Sequence, residues 1–251
     1  MKDSSKYYFD DFTENNYKRL LLLAKEKYTF VEYGDYKNLG KNILWRHDID
    51  FSVHRAYKLA LIEKSVGIKS TYFIYPHSFF YNIFEHEIFE ILKNIISLGN
   101  NIGLHFDASF YGKIEDQNPD YRPFIKYEKN ILEKLFNQKL IAISFHTPEY
   151  CIGPLFSKTK INGMINCYSK YIMNNYGYCS DSDGYWRFRR LEDVLIEAKD
   201  NKLQVLTHPE LWTPTPMSPR NRISRCIVGR SIKQQKEYDS LLKRYGRAII
   251  K

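Results

Sequence analysis

Four segments of this chain are short apolar runs that end in a histidine or carry one with two aspartates. They are Asn42-Ile43-Leu44-Trp45-Arg46-His47-Asp48-Ile49-Asp50, Ile102-Gly103-Leu104-His105, Ile141-Ala142-Ile143-Ser144-Phe145-His146 and Leu203-Gln204-Val205-Leu206-Thr207-His208. Continuous apolar runs of this length suit strands buried on both faces, and helix-like stretches separate them. Strands alternating with helices of ten or more residues make a parallel sheet. In an α/β barrel the C-terminal ends of such strands meet at one mouth, which carries the chemistry. A ligand-type residue at four strand ends therefore predicts a metal site at that mouth.

The remaining elements follow from caps and breakers. Thr13 caps a helix running to about Lys27, and Ser52 caps one running to about Val66, with Gly67 closing it. A strand covers Ser70–Tyr75, a helix about Phe84–Leu98, a loop Phe106–Asn118 and a helix about Pro119–Asn137. Residues 147–190 are irregular apart from a strand at Tyr178–Ser180. A helix at about Leu191–Lys199 precedes the fourth histidine strand, Pro209–Pro219 reads as a loop, and a last helix spans about Ile232–Tyr245.

The chain has 251 residues, enough for one large α/β domain. Its formal charge of +9 is unevenly placed: residues 213–251 carry +8 and the other 212 residues +1. The basic segment is an extension to a motif core at about 40–212. It suits a phosphorylated substrate or an anionic surface, or is simply a solvated helix. No nucleic-acid motif accompanies it, so DNA and RNA are not expected partners. The 16% aromatic content suits either a sugar-stacking cleft or an aromatic core. The N-terminal Met1–Lys6 stretch lacks a signal-peptide core, and Leu20–Ala24 is too short to span a bilayer. Cys151, Cys167, Cys179 and Cys226 show no CxxC spacing. A reduced, cytoplasmic protein without a transmembrane segment is the expectation.

Asp48 and Asp50 stand two apart on an extended segment and so point the same way. Two carboxylates that close resist joint ionisation unless a cation sits beside them, which suggests one ligand and one free base. Arg46 could neutralise or orient one of them. Asp plus His105 and His146 supplies the three protein ligands of a catalytic zinc site, and His208 can serve as general acid. His47, His54, His77 and His86 are weaker candidates; His54 and His86 fall in helical patterns and His77 could line a cleft.

These residues carry a resemblance. Arg46-His47-Asp48-Ile49-Asp50, Ser70-Thr71-Tyr72-Phe73-Ile74, Ile102-Gly103-Leu104-His105 and Leu206-Thr207-His208-Pro209 resemble the motifs of the polysaccharide deacetylase superfamily, carbohydrate esterase family 4. The match is closest to a cytoplasmic branch with an Arg-His-Asp-x-Asp first motif, found among surface-polysaccharide genes. It implies a single-domain irregular (β/α) barrel of about seven strands over residues 1–251, binding zinc or another divalent ion. It further implies Asp48 as catalytic base, Asp50 and His105 as metal ligands and His208 as acid. Asp183 and Trp186 resemble a fourth motif that orients the acid and lines the acetyl pocket. With Arg46 and Trp212 they are the expected substrate-binding residues. One position departs from the pattern: the usual second histidine of the second motif is Ser109 here. Either His146 fills the gap, or Asp107 swings in, or the metal site is crippled; His146 is the expected ligand.

The function these readings imply is metal-dependent amide hydrolysis, foremost N-deacetylation of a sugar or a nucleotide- or lipid-linked sugar in surface-polysaccharide assembly. Hydrolysis of another C–N bond and non-catalytic glycan binding are the alternatives. The sugar, acyl group, metal and oligomeric state are not readable.

Overall fold

The computed structural model describes residues 5–38, 40–112, 120–148 and 154–250. Residues 1–4, part of the loop expected before Pro119, and Cys151 lie outside them. A helix α1 (Glu14–Lys27) is capped by Thr13, whose hydroxyl accepts the Asn16 amide, and leads into a two-residue strand β1 (Thr29–Phe30). Then come β2 (Asn42–Ile49), α2 (Val53–Ser65), β3 (Thr71–Ile74), α3 (His86–Ser97) and β4 (Asn101–Asp107). After a short helix α4 (Ala108–Tyr111) follow α5 (Arg122–Phe136) and β5 (Ala142–His146).

The stretch expected to be irregular contains α6 (Pro154–Ser157), a small antiparallel pair β6 (Lys160–Ile161) and β7 (Met164–Asn166), and α7 (Lys170–Asn175). It ends in β8 (Gly177–Ser180). The chain closes with α8 (Leu191–Glu197), β9 (Lys202–Thr207) and α9 (Pro219–Arg244).

The sheet runs β6-β7-β5-β4-β3-β2-β9-β8, with β1 pairing β2 off this path. From β7 to β8 the seven strands are parallel, so their C-terminal ends share one edge. The path does not close on itself. This is the irregular α/β barrel that the strand–helix alternation predicts, open between its outer strands. Every residue of β2 is buried, as a central parallel strand covered by helices on the outside requires.

Packing fixes the register at Gly103 in β4. A Cβ there would meet the Phe73 ring at 2.5 Å and the Ala142 carbonyl oxygen at 2.9 Å, so glycine lets β3, β4 and β5 approach while Phe73 fills the interior. On the outer face α3 lays Ile88, Leu92 and Ile95 against Ile102, Leu104 and Ile143 of the sheet.

The last helix departs most from expectation. It begins at Pro219, not near Ile232, and runs 26 residues. Ser218 is its N-cap and Pro219 its first residue, a start signal hidden in a proline-rich stretch that reads as loop. Its anchor is Arg222, fully buried, which donates to the carbonyls of Gly184 at 2.8 Å and Phe9 at 3.3 Å. Among the described residues no helix is long and apolar enough to cross a membrane, and Cys167, Cys179 and Cys226 are free thiols.

Candidate active site

Alternation along β2 divides the Arg-His-Asp-Ile-Asp segment between two environments. His47 turns to the outer side, where Nε2 lies 2.6 Å from Glu63 of α2 and the ring stacks on Tyr72 at 4.3 Å. Glu63 also accepts from Tyr17 (2.6 Å), Ser70 and Tyr72 (both 2.8 Å). His47 is therefore part of a buried polar knot that ties α1, α2, β2 and β3 together. Arg46, Asp48 and Asp50 turn inward.

Asp50 just past β2, His105 in β4 and His146 at the end of β5 converge. His105 Nε2 lies 3.2 Å from Asp50 Oδ1, His146 Nδ1 lies 3.6 Å from the same oxygen, and the two nitrogens are 3.3 Å apart. These three residues form the described group of side chains whose ligand atoms all lie within 4.8 Å of one another. Asp50 Oδ1 is buried without a hydrogen-bond partner, which a cation would relieve. Burial alone would raise the Asp50 pKa, but the close His105 and His146 imidazoles and the His208 charge hold it well below the usual carboxylate range. For His146, burial opposes the charge, yet Asp50 outweighs it and raises the pKa. A carboxylate and two imidazoles are a fitting donor set for a divalent ion.

Asp107 and Ser109 take other roles. Asp107 accepts from Tyr75 Oη at 2.6 Å and from Ser109 Oγ at 2.6 Å, and it caps α4 through the Ser109 amide. The Tyr75 ring in turn stacks on His146 at 4.5 Å. Asp107 is thus engaged with Tyr75, whose ring packs on the histidine that converges with Asp50 and His105.

Ser144 links the histidine cluster to Asp48. With His105 Nε2 turned to the cluster, Nδ1–H donates to Ser144 Oγ at 2.7 Å, and that hydroxyl donates to Asp48 Oδ1 at 3.3 Å. Arg46 Nη2 lies 3.4 Å from Asp48 Oδ2 and donates to Tyr168 at 2.7 Å. His208, one residue past β9, points Nε2 to 3.9 Å from Asp50 Oδ2. Its Nδ1–H donates to Asp181 at 2.7 Å. Burial works against a charge on His208, but the Asp181 carboxylate overcomes it and pushes the pKa up to about 10.

Of the four expected substrate-binding residues, Arg46, Trp186 and Trp212 sit away from the cavity and Asp183 lines it. Arg46 is fully buried behind Asp48, its guanidinium over the Tyr168 ring at 4.8 Å, so it steadies the carboxylate and cannot meet a substrate. Trp212 is fully buried and donates to Asp181 at 2.9 Å. Trp186 donates to Asp11 at 2.8 Å and stacks on Phe12, among the N-terminal residues. Asp183 lines the cavity but is exposed and paired with Arg187 at 3.0 Å; the residue that orients His208 is Asp181. The pattern match placed the aspartate two positions late. The strand-end rule, applied to β8, points to Asp181, the first residue after that strand.

Asp48, Asp50, His105, His146 and His208 border one cavity of about 840 Å³. Two further contributions escaped sequence reasoning. Glu210, in the turn after His208, is buried with Oε2 unpartnered, and burial together with the nearby Asp50 charge raises its pKa well above the usual range. The first turns of α9 supply a wall through Arg220, Ile223 and Ile227. His77 lies outside this cavity, 2.9 Å from Glu128 and stacked on Phe110, and His54 is an exposed partner of Glu87. His86 opens helix α3.

No family model and no curated protein matches the chain. Solved structures do. The catalytic domain of peptidoglycan N-acetylglucosamine deacetylase from Eubacterium rectale is 15% identical, with a TM-score of 0.48 over 78% of this chain and 86% of that one. Streptococcus pyogenes deacetylase PplD, solved in complex with acetate, is 16% identical, with a TM-score of 0.40 over 84% of both chains. A family 4 acetyl xylan esterase from Clostridium thermocellum, solved with a cobalt ion, is 13% identical, with a TM-score of 0.40 over 82% of this chain and 92% of that one. The chain is similar to these proteins in the path of its backbone.

Proposed function

We propose that this protein is a metal-dependent amide hydrolase that removes an acyl group from an amino sugar or sugar conjugate. The observation that carries the reading is the convergence of Asp50, His105 and His146 in a cavity that Asp48 and His208 also border. Asp50, His105 and His146 would hold the divalent ion, zinc foremost. Such an ion supplies Lewis acidity, polarising an amide carbonyl and acidifying water near neutral pH.

The chain's own groups do the rest. Asp48, fixed by Arg46 and the Ser144 hydroxyl, accepts a proton from the attacking water. His208, kept protonated and oriented by Asp181, donates its Nε2 proton to the departing amine. Sugar amides in surface-glycan assembly and a cytoplasmic location belong to the same proposal.

The test is to strip the full chain with a chelator, reload it with Zn²⁺, Co²⁺ or Mn²⁺, and follow acetate release from N-acetylglucosamine, its oligomers and UDP-N-acetylglucosamine. Activity should return with the ion, and Asp48→Asn should lower it by about 10²-fold or more, the usual contribution of a general base, with the ion retained. Hydrolysis that persists in chelator, or that no ion restores on any of these amides, contradicts the reading.

A further inference from the structure

The cavity's cations are as informative as its carboxylates. Arg220 lies in the first turn of α9, lines the same cavity as Asp50 and His208, and is exposed. On α9, Arg222 is engaged with two backbone carbonyls, Arg230 with Glu85, and Lys233 with Glu85 and Glu87, whereas Arg225, Lys236, Lys243 and Arg244 make no ion pair among the described residues and do not line this cavity. No acidic group is paired with Arg220 among the described residues. The first turn of α9 contains no acidic residue, so the charge of Arg220 is set against the helix dipole. A cation held there against local electrostatics, without a partner, does nothing for the helix.

Arg187 reaches the same cavity from the turn after β8. Its partner Asp183 is exposed, so that ion pair is weak and leaves the guanidinium available to a second anion. Arg220, Arg187 and Ser224 thus line the same cavity as the histidine cluster. Guanidinium forks match phosphate oxygens in geometry and charge. The cavity volume, about 840 Å³, is at the upper end of what cofactor-sized ligands occupy.

We infer that the cavity holds its substrate by a phosphate group on Arg220 and Arg187, so that the substrate is a phosphate- or diphosphate-linked amino sugar. This rests on the proposed hydrolase reading for the acylated end only. The phosphate could be carried by a nucleoside or by a prenyl lipid, and both present the same anion to the arginines.

The experiment is calorimetric titration of the full, Zn²⁺-loaded chain with N-acetylglucosamine, N-acetylglucosamine 1-phosphate, UDP-N-acetylglucosamine and farnesyl-diphospho-N-acetylglucosamine. The phosphorylated sugars should bind at least about tenfold more tightly than the neutral sugar, the margin expected of a charge-assisted contact. The tighter of the two diphosphates identifies the carrier. Arg220→Gln and Arg187→Gln should each cut the margin to about threefold or less, whereas Arg225→Gln, on the same helix outside this cavity, should preserve it. Equal binding of the neutral sugar, or a margin untouched by Arg220→Gln, overturns the inference. The two readings fail separately: a phosphate margin without any hydrolysis removes only the hydrolase, and hydrolysis of neutral sugars unaffected by Arg220→Gln removes only the phosphate site.

Discussion

Asp181 sits directly behind His208: its Oδ1 accepts the imidazole Nδ1–H at 2.7 Å, and the carboxylate also accepts the His208 amide at 3.0 Å and the Trp212 indole at 2.9 Å. The histidine is thereby fixed in orientation and in charge, with Nε2 left facing Asp50 and the cavity. Asp181 is buried and fully engaged, so its role is to position His208 without touching substrate.

This pair sets a pH dependence. The His208 pKa, about 10, stands above the ordinary imidazole value of 6.5. Its charged form therefore stabilises the fold fully below the ordinary imidazole range, and that contribution is lost as pH rises through about 10. The proton that His208 donates is lost over the same range. Asp181→Asn removes the stabilising charge, so the alkaline limb of kcat should move down toward neutrality. At pH 8.5 the variant should retain about one tenth or less of wild-type activity, as expected when a general acid is largely discharged. A pH–rate profile checks this; an alkaline limb that stays in place in Asp181→Asn contradicts the role given to it.

The histidine of the Arg-His-Asp segment makes a different prediction. His47, Tyr17, Ser70 and Tyr72 all depend on one carboxylate, Glu63, which is fully buried. Removing the shared acceptor of a buried hydrogen-bonded cluster strands its partners, so Glu63→Ala should lower unfolding free energy by roughly 3–5 kcal/mol in urea. Because this cluster lies on the outer side of β2, the folded variant should bind metal as the wild type does. A loss under about 1 kcal/mol would mean that the cluster is solvated in the native state.

The site was legible where chemistry coincides with a strand end. Asp48, Asp50, His105, His146 and His208 could be singled out because parallel strands bring their C-terminal ends to one edge whatever the helices between them do. Residues that act from behind others were not legible in this way. Ser144 in β5 reads as an ordinary strand serine, and only its position opposite His105 makes it the bridge to Asp48. The two tryptophans were expected to bind substrate, because a sequence does not show which way an aromatic side chain points; packing against Phe12 and Asp181 turns both inward. The β6–β7 pair was too short to leave an alternation. The start of α9 was masked by four prolines in eleven residues, although Ser218-Pro219 is a sound helix start.

The central claim is that Asp50, His105 and His146 together hold one divalent ion, and metal content by inductively coupled plasma mass spectrometry tests it most directly. Wild-type protein purified without chelators and supplied with Zn²⁺ should carry about one ion per chain, as three protein ligands of this kind allow. Asp50→Ala, His105→Ala and His146→Ala should each lose most of it, whereas Ser109→Ala and Asp48→Asn should keep it. A His146→Ala protein that still binds a full equivalent, or a wild-type chain that binds none, contradicts the account.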